Sequence, residues 1–327
     1  AGFTPAFQAT IPDVLPDERD YTRALSLSRL AYDLESLVSP ILAAALLTVV
    51  GFHDLFAGTV VGFLASAALV VSVTLPSPHA SAPPGIYERT TRGLRIYLAT
   101  PRLRGLLAVG MAVAAAGAMV IVNTVVIVQG EYGLTQRSTA IALAAYGGGS
   151  MLAALMLPGI LDRVQDRSIM LAGIALLALG LASGTQVEGL ASLMPLWFVL
   201  GLGYSIAQTP AGRLLRRSSR PEDRPAVFAA QFALSHACWL VTYPLAGWLG
   251  VTVGLPATFV VMAAIAAVAT AAALVLWPSS DPDVVDHDHD DLADDDPHWA
   301  EGGHRLGHRH AHGFVIDALH PQWPRHG

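Results

Sequence analysis

Apolar residues in this chain gather into long runs instead of alternating. Most of the runs reach the roughly 20 residues that a helix needs to cross ~30 Å of hydrocarbon. They lie at 24–50, 55–75, 103–128, 139–161, 169–184, 190–215, 226–250 and 257–277, so eight complete transmembrane helices are predicted. Residues 1–15 are too short for another span and read as the end of a ninth helix. The pattern is that of an all-α integral membrane protein.

The polar residues between the runs orient them. Arg19, Arg23, Arg89, Arg92, Arg95, Arg102, Arg104, Arg163, Arg167, Arg213, Arg216, Arg217, Arg220 and Arg224 all fall on alternate connections, and the facing connections hold only Arg137. Positive charge stays on the cytoplasmic side. The C-terminal residues 278–327 are therefore expected in the cytoplasm. The connection at 76–101 starts with PSPHASAPPG and continues as IYERTTRGLRIYL, a candidate interfacial amphipathic helix. It divides a remainder of one helical bundle (1–75) from a six-helix bundle (102–278), with a tail at 279–327.

Two stretches look like copies of one another. Pro221-Glu222-Asp223-Arg224 precedes an apolar helix expected to break at Pro244; Pro16-Asp17-Glu18-Arg19 precedes a similar one with Pro40 inside. The offset is near 204 residues, and internal duplication of this kind marks transporters. If both halves hold six helices, about 100 residues and three and a half helices are expected ahead of Ala1.

Composition agrees with the hydropathy pattern: 53% of residues are hydrophobic and 13% charged, far from a soluble domain. The single cysteine, Cys238, excludes an intrachain disulfide. There is no nucleotide-binding loop and no nucleophile-elbow motif, so no enzymatic activity is expected.

Polar side chains inside the spans are costly facing lipid and mark cavities or helix contacts. They are Asp33 and Glu35 in the first span, Asn123 and Gln129 in the third, Tyr146 in the fourth, Tyr204 and Gln208 in the sixth, and Gln231, Ser235, His236, Cys238 and Thr242 in the seventh. Gln231, Ser235, Cys238 and Thr242 share one helical stripe, with His236 on a neighbouring one. His236 is either a metal ligand or a hydrogen-bond partner for a neighbouring helix; Cys238 reads as packing ahead of ligation. A desolvated Asp33 has the raised pKa of a proton carrier, or else it forms an ion pair with Arg29 one turn away. Glu35 points about 200° from Asp33, so both cannot face one cavity.

The tail carries nine of the twelve histidines and ten aspartates. In DHDHDD (286–291) and HRHAH (308–312) imidazoles recur at every second residue, so an extended chain can offer them to one ion. His287, His289, His304, His308, His310 and His312 are the candidate ligands, and nickel, copper, zinc and cobalt all accept imidazole. With few apolar residues to bury, the tail is expected to be disordered without metal.

With its long central loop, its repeat, and GILDRVQDR at 159–167, the chain resembles the major facilitator superfamily of secondary transporters over residues 1 to about 278. The nonapeptide looks like a shortened form of that family's G-x-L-x-D-R-x-G-R loop, and the resemblance gives Asp162, Arg163 and Arg167 a gating or helix-packing role. It also equates the eight spans with helices 5–12. AQTPAGRLLRRS (207–218), FALSHACWLVTYPLAGWLG (232–250) and the tail resemble bacterial nickel and cobalt resistance exporters of the same superfamily.

The resemblance implies a multi-pass protein of the bacterial inner membrane that exports nickel or cobalt by alternating access, as a proton-coupled antiporter. Lipid, a divalent metal ion as substrate and protons are the expected partners. Nucleic acid is not, no cofactor is expected, and the chain is expected to act as a monomer. Two other readings remain open at this stage: a proton-coupled exporter of small organic compounds, and a membrane-bound metal sensor or store.

Overall fold

The computed structural model describes residues 3–72, 85–282, 284–289, 292, 296, 298–299, 305–306 and 309–324. Its helices are α1 (Phe3–Val14), α2 (Glu18–Leu46), α3 (Phe52–Ser72), α4 (Ile86–Ala99), α5 (Pro101–Val125), α6 (Gln136–Leu161), α7 (Asp166–Ser183), α8 (Leu190–Gln208), α9 (Ala211–Arg217), α10 (Arg224–Thr252) and α11 (Leu255–Leu276). A π-helical turn, Val126–Glu131, prolongs α5.

Among the described residues, seven helical segments are long and apolar enough to cross a membrane, one fewer than the eight expected. The difference is α2. Its 29 residues extend about 44 Å at the α-helical rise. Glu18, Arg19, Asp20, Arg23, Arg29, Asp33 and Glu35 make it too polar to count by composition. Its presumed copy α10 is also 29 residues long, and it runs on through Pro244 to Thr252 instead of breaking there. Neighbouring helices let a membrane helix absorb a proline in this way.

The bundle is built around α5. Ala112, Val113, Ala114, Ala115, Ala116, Met119 and Val120 are all buried, because α7, α8, α10 and α11 all pack against this helix. Small residues let α6 and α8 cross closely. A Cβ at Gly201 would stand 1.9 Å from the Tyr146 carbonyl oxygen, and one at Gly149 2.0 Å from that of Phe198. Such backbone approach is how helices associate where no hydrophobic effect drives them together.

Against α6 lies α2. The apolar helix α3 is exposed along its length, whereas α7 and α11, equally free of charge in their centres, bury Ile174, Leu177, Phe259 and Met262.

Expected to be disordered, the tail instead folds in its described part. Strands β1 (Val284–Asp288), β2 (Arg305–Leu306) and β3 (Arg309–Gly313) form an antiparallel sheet of order β1-β3-β2, with His287 opposite His310. The few apolar residues suffice because they are concentrated: Val285, Trp299, Phe314 and Ile316 are all buried.

Charge fixes the sheet to the helix ends. Asp281 lies between Arg102 (3.4 Å) and Arg217, and it accepts a hydrogen bond from Trp277 Nε1 at 2.9 Å. Arg220 reaches Asp317 at 2.8 Å, and the Arg102 guanidinium lies 5.1 Å from the Trp323 ring centre.

Candidate functional site

Two groups of polar side chains stand out, one inside the bundle and one in the tail. In the bundle, Arg29 and Asp33 occupy successive turns of α2, and Arg29 donates from Nη2 to Asp33 Oδ1 at 2.7 Å and from Nε to Oδ2 at 3.3 Å. The Ser150 hydroxyl of α6 donates to Asp33 Oδ2 at 2.5 Å, so the pair is held across the contact between two helices. On the opposite side the guanidinium covers the ring of Tyr204 at 4.4 Å, and that ring packs 5.8 Å from Tyr146. Buried and surrounded in this way, the carboxylate meets a fixed cation. The ion pair weighed for Asp33 is the arrangement found; Ser150, 117 residues away, is the partner that sequence spacing missed.

Other candidates are not gathered there. Glu35 is exposed on the far side of α2. Asn123 is buried and donates to the Ala246 carbonyl of α10 at 3.3 Å. Gln208 is half-buried, and Gln231 accepts a hydrogen bond from Tyr97 of α4. His236 is exposed, its ring tilted against that of Phe232 with centres 3.9 Å apart and Nδ1 turned to that residue's carbonyl at 2.7 Å. Cys238 faces the interior. The imidazole and the thiol therefore lie on different faces of α10.

The arginine-rich end of the bundle is tied together. Arg19 approaches Asp162 at 3.9 Å, Arg213 lies 2.7 Å from Glu18 and 3.0 Å from Asp166, and Arg224 pairs with Asp13. Arg167 donates to the Trp277 carbonyl at 3.0 Å, at the end of α11, while Arg163 is exposed. Of the candidate gating residues, Asp162 thus meets Arg19 in the first turn of α2 and Arg167 packs within the second bundle. Asp166 was missed in the sequence, where nothing separates it from an ordinary helix-start acid.

In the tail, strand alternation sorts the side chains. Asp286 and Asp288 point outward, Asp286 pairing with Arg309 at 2.7 Å, and Val285, His287, His310 and His312 point inward. Two overlapping sets of four histidines bring their nitrogens within 4.8 Å of one another: His287, His298, His310 and His312, and His287, His289, His298 and His320. His298 and His320 lie outside the alternating runs and were not among the sequence candidates. His304 and His308 lie outside the described residues.

Local turns aim the added pair. The Asp296 carboxylate caps the His298 amide at 2.8 Å, and Asp317 Oδ1 accepts from the amides of Leu319 and His320 at 2.9 and 2.8 Å. The same oxygen accepts from His320 Nδ1 at 2.9 Å. Nδ1 of His287 and of His312 donate to the Val285 and Gly313 carbonyls, each at 3.0 Å. Bonds of this kind from the second ring nitrogen orient metal-ligating histidines.

Electrostatics disfavour protonation of two members of the cluster. Burial, and then the neighbouring imidazoles, lower the pKa of both His287 and His310 to about 4, despite the Val285 carbonyl favouring the charged form of His287. Burial alone would raise Asp317. The hydrogen bonds from the His320 ring and amide, with the charge of Arg220, bring it down to about 2.

Known proteins place this architecture. The fold matches the crystal structure of a bacterial homologue of the iron transporter ferroportin in an outward-facing state, with a TM-score of 0.62 and 14% identity over 83% of this chain and 68% of the other. No curated protein matches by sequence. Residues 106–309, more than half of the chain, match the Major Facilitator Superfamily, and together with the helical bundle this shows that the chain belongs to that superfamily.

Proposed function

We propose that the protein is a secondary transporter exporting a divalent metal cation, nickel or cobalt, from the cytoplasm by alternating access in exchange for protons. The observation that carries the metal assignment is the buried set of convergent imidazoles docked on the arginine-rich end of the bundle. Imidazole is a ligand for borderline divalent ions, so a centre of this kind at the end of the bundle ties the protein to such an ion. The fold neighbour supports the architecture, and the substrate class is argued from this chain's own residues.

Within the bundle, Asp33 is the coupling carboxylate in this reading. Arg29 and Ser150 hold its carboxylate in the arrangement seen, and separation of α2 from α6 during the transport cycle removes the Ser150 hydrogen bond and opens the carboxylate to another partner. Cells producing the protein should hold less nickel than cells producing an Asp33→Asn variant. Equal intracellular nickel in both, with equal amounts of protein in the membrane, would sink the proposal.

A further inference from the structure

The tail histidines are more ordered than a metal-collecting brush requires. Each of the six imidazoles of His287, His289, His298, His310, His312 and His320 has four ring neighbours among the others, with centres 4.5–5.2 Å apart. His287 and His298 face each other at 6.4 Å. These neighbour relations are those of an octahedron, in which His289 faces His312 and His310 faces His320.

The donor atoms agree. Nε2 of His320 lies 3.0 Å from that of His287 and 3.1 Å from that of His289, and Nε2 of His298 lies 3.1 Å from His289, 3.0 Å from His310 and 3.3 Å from His312. Adjacent nitrogens of an octahedral ion bound at about 2.1 Å stand about 3.0 Å apart.

Hydrogen bonding between the rings does not account for this convergence. His287 and His320 each commit the Nδ1 proton to an oxygen that can only accept, Val285 O and Asp317 Oδ1. Their Nε2 lone pairs then face each other at 3.0 Å with no proton between them. An added proton bridges one pair of rings, not six rings around one point. A cation at the centre satisfies all six lone pairs together. Trp299 and Phe314 close the outside, the Trp299 ring 4.8 Å from His310 and the Phe314 ring 4.7 Å from His320.

We infer that these six histidines form one closed, six-coordinate centre for an octahedral late first-row divalent ion of the nickel(II) type, which holds its ion instead of passing it to the bundle. Six protein donors leave no coordination position for an incoming ligand, as in closed structural sites. Zinc, which favours four ligands, uses such a donor set poorly, while six-fold imidazole fields suit nickel(II). The ion is thus a resident part of the tail, fixing the sheet beside Arg220. The inference rests on the metal-exporter reading for its biological setting, not for its geometry.

X-ray absorption at the nickel edge tests it, on the whole purified chain stripped with chelator and reloaded with nickel chloride. The expected result is one tightly held nickel per chain with six imidazole nitrogens. Cobalt loading should give the weak visible bands of a six-coordinate ion. His298→Ala and His320→Ala should each speed nickel release to chelator at least ten-fold, the order seen for weaker perturbations of metal ligation; His53→Ala should not.

A four-coordinate nickel spectrum, or intense four-coordinate cobalt bands, would overturn the centre even if neither histidine variant folds. The readout is also separate from the accumulation assay. Four-coordinate metal with intact export removes the centre and keeps the exporter, and six-coordinate metal without export does the reverse.

Discussion

Arg29 clasps the carboxylate of Asp33 one helical turn away, Nη2 to Oδ1 at 2.7 Å, with side chains only 15% and 6% exposed. Breaking a buried pair by removing one partner costs about 3–5 kcal/mol, whereas replacing both with apolar groups is often neutral. Asp33→Asn should therefore lower both thermal stability and nickel export. The double variant Arg29→Leu/Asp33→Leu should regain most of the stability and none of the export. Melting temperature in detergent and nickel flux in vesicles separate the two; export by the double variant would make the pair purely structural.

Asp317 serves two partners, His320 through Oδ1 and Arg220 through Oδ2. Asp317→Asn keeps the shape, weakens the grip on the imidazole and leaves Arg220 without its charge partner there. Loss of such a supporting carboxylate lowers metal affinity about 10–100-fold. Competition with a chromophoric chelator should show this decrease, together with faster proteolysis of the tail.

Acid should loosen the tail before the helices. His287 and His310 titrate near 4 in the folded chain and near their ordinary 6.5 once released, so the unfolded tail binds more protons between those values. Tail stability is then complete above about pH 6.5 and falls progressively as the pH drops towards 4. Proteolytic resistance of the tail in the chelator-stripped protein, measured across this range, should follow the same course, and a flat profile would contradict the burial of these rings.

Gly201 and Gly149 permit the close crossing of α6 and α8. Gly201→Ala places a methyl group against the Tyr146 carbonyl and should destabilise by about 1–3 kcal/mol, the usual range for overpacking. Gly159→Ala on the same helix as Gly149 meets nothing within 4 Å and should be neutral or slightly stabilising. Paired melting curves decide whether α6 and α8 are held by this contact.

The bundle was legible in the sequence because span length and apolarity are local properties, visible at α5 or α11 without any partner. The partners were not. The period of α2 puts Asp33 one turn from Arg29, but Ser150 enters only through the rotation of α6 about its own axis, which packing sets. His236 invited a functional reading because an ionisable side chain within a span is costly; its own Phe232 carbonyl and ring occupy it, contacts within one turn that periodicity does not rank.

In the tail, alternation marked His287, His289, His310 and His312, whereas His298 and His320 are single histidines brought in by Asp-capped turns. Average composition argued for disorder and concealed that Val285, Phe314 and Ile316 join one buried cluster.

Asp281 follows Trp277 by only four residues and is clamped by Arg102 and Arg217, and Asp317 is tied to Arg220. All three arginines belong to the second bundle. The sheet is therefore tied to one half of the protein, and in the alternating-access cycle proposed above it would travel with that half. A paramagnetic ion placed in it becomes a fixed origin from which the displacement of α1 and α2 can be measured as a distance in a working transporter.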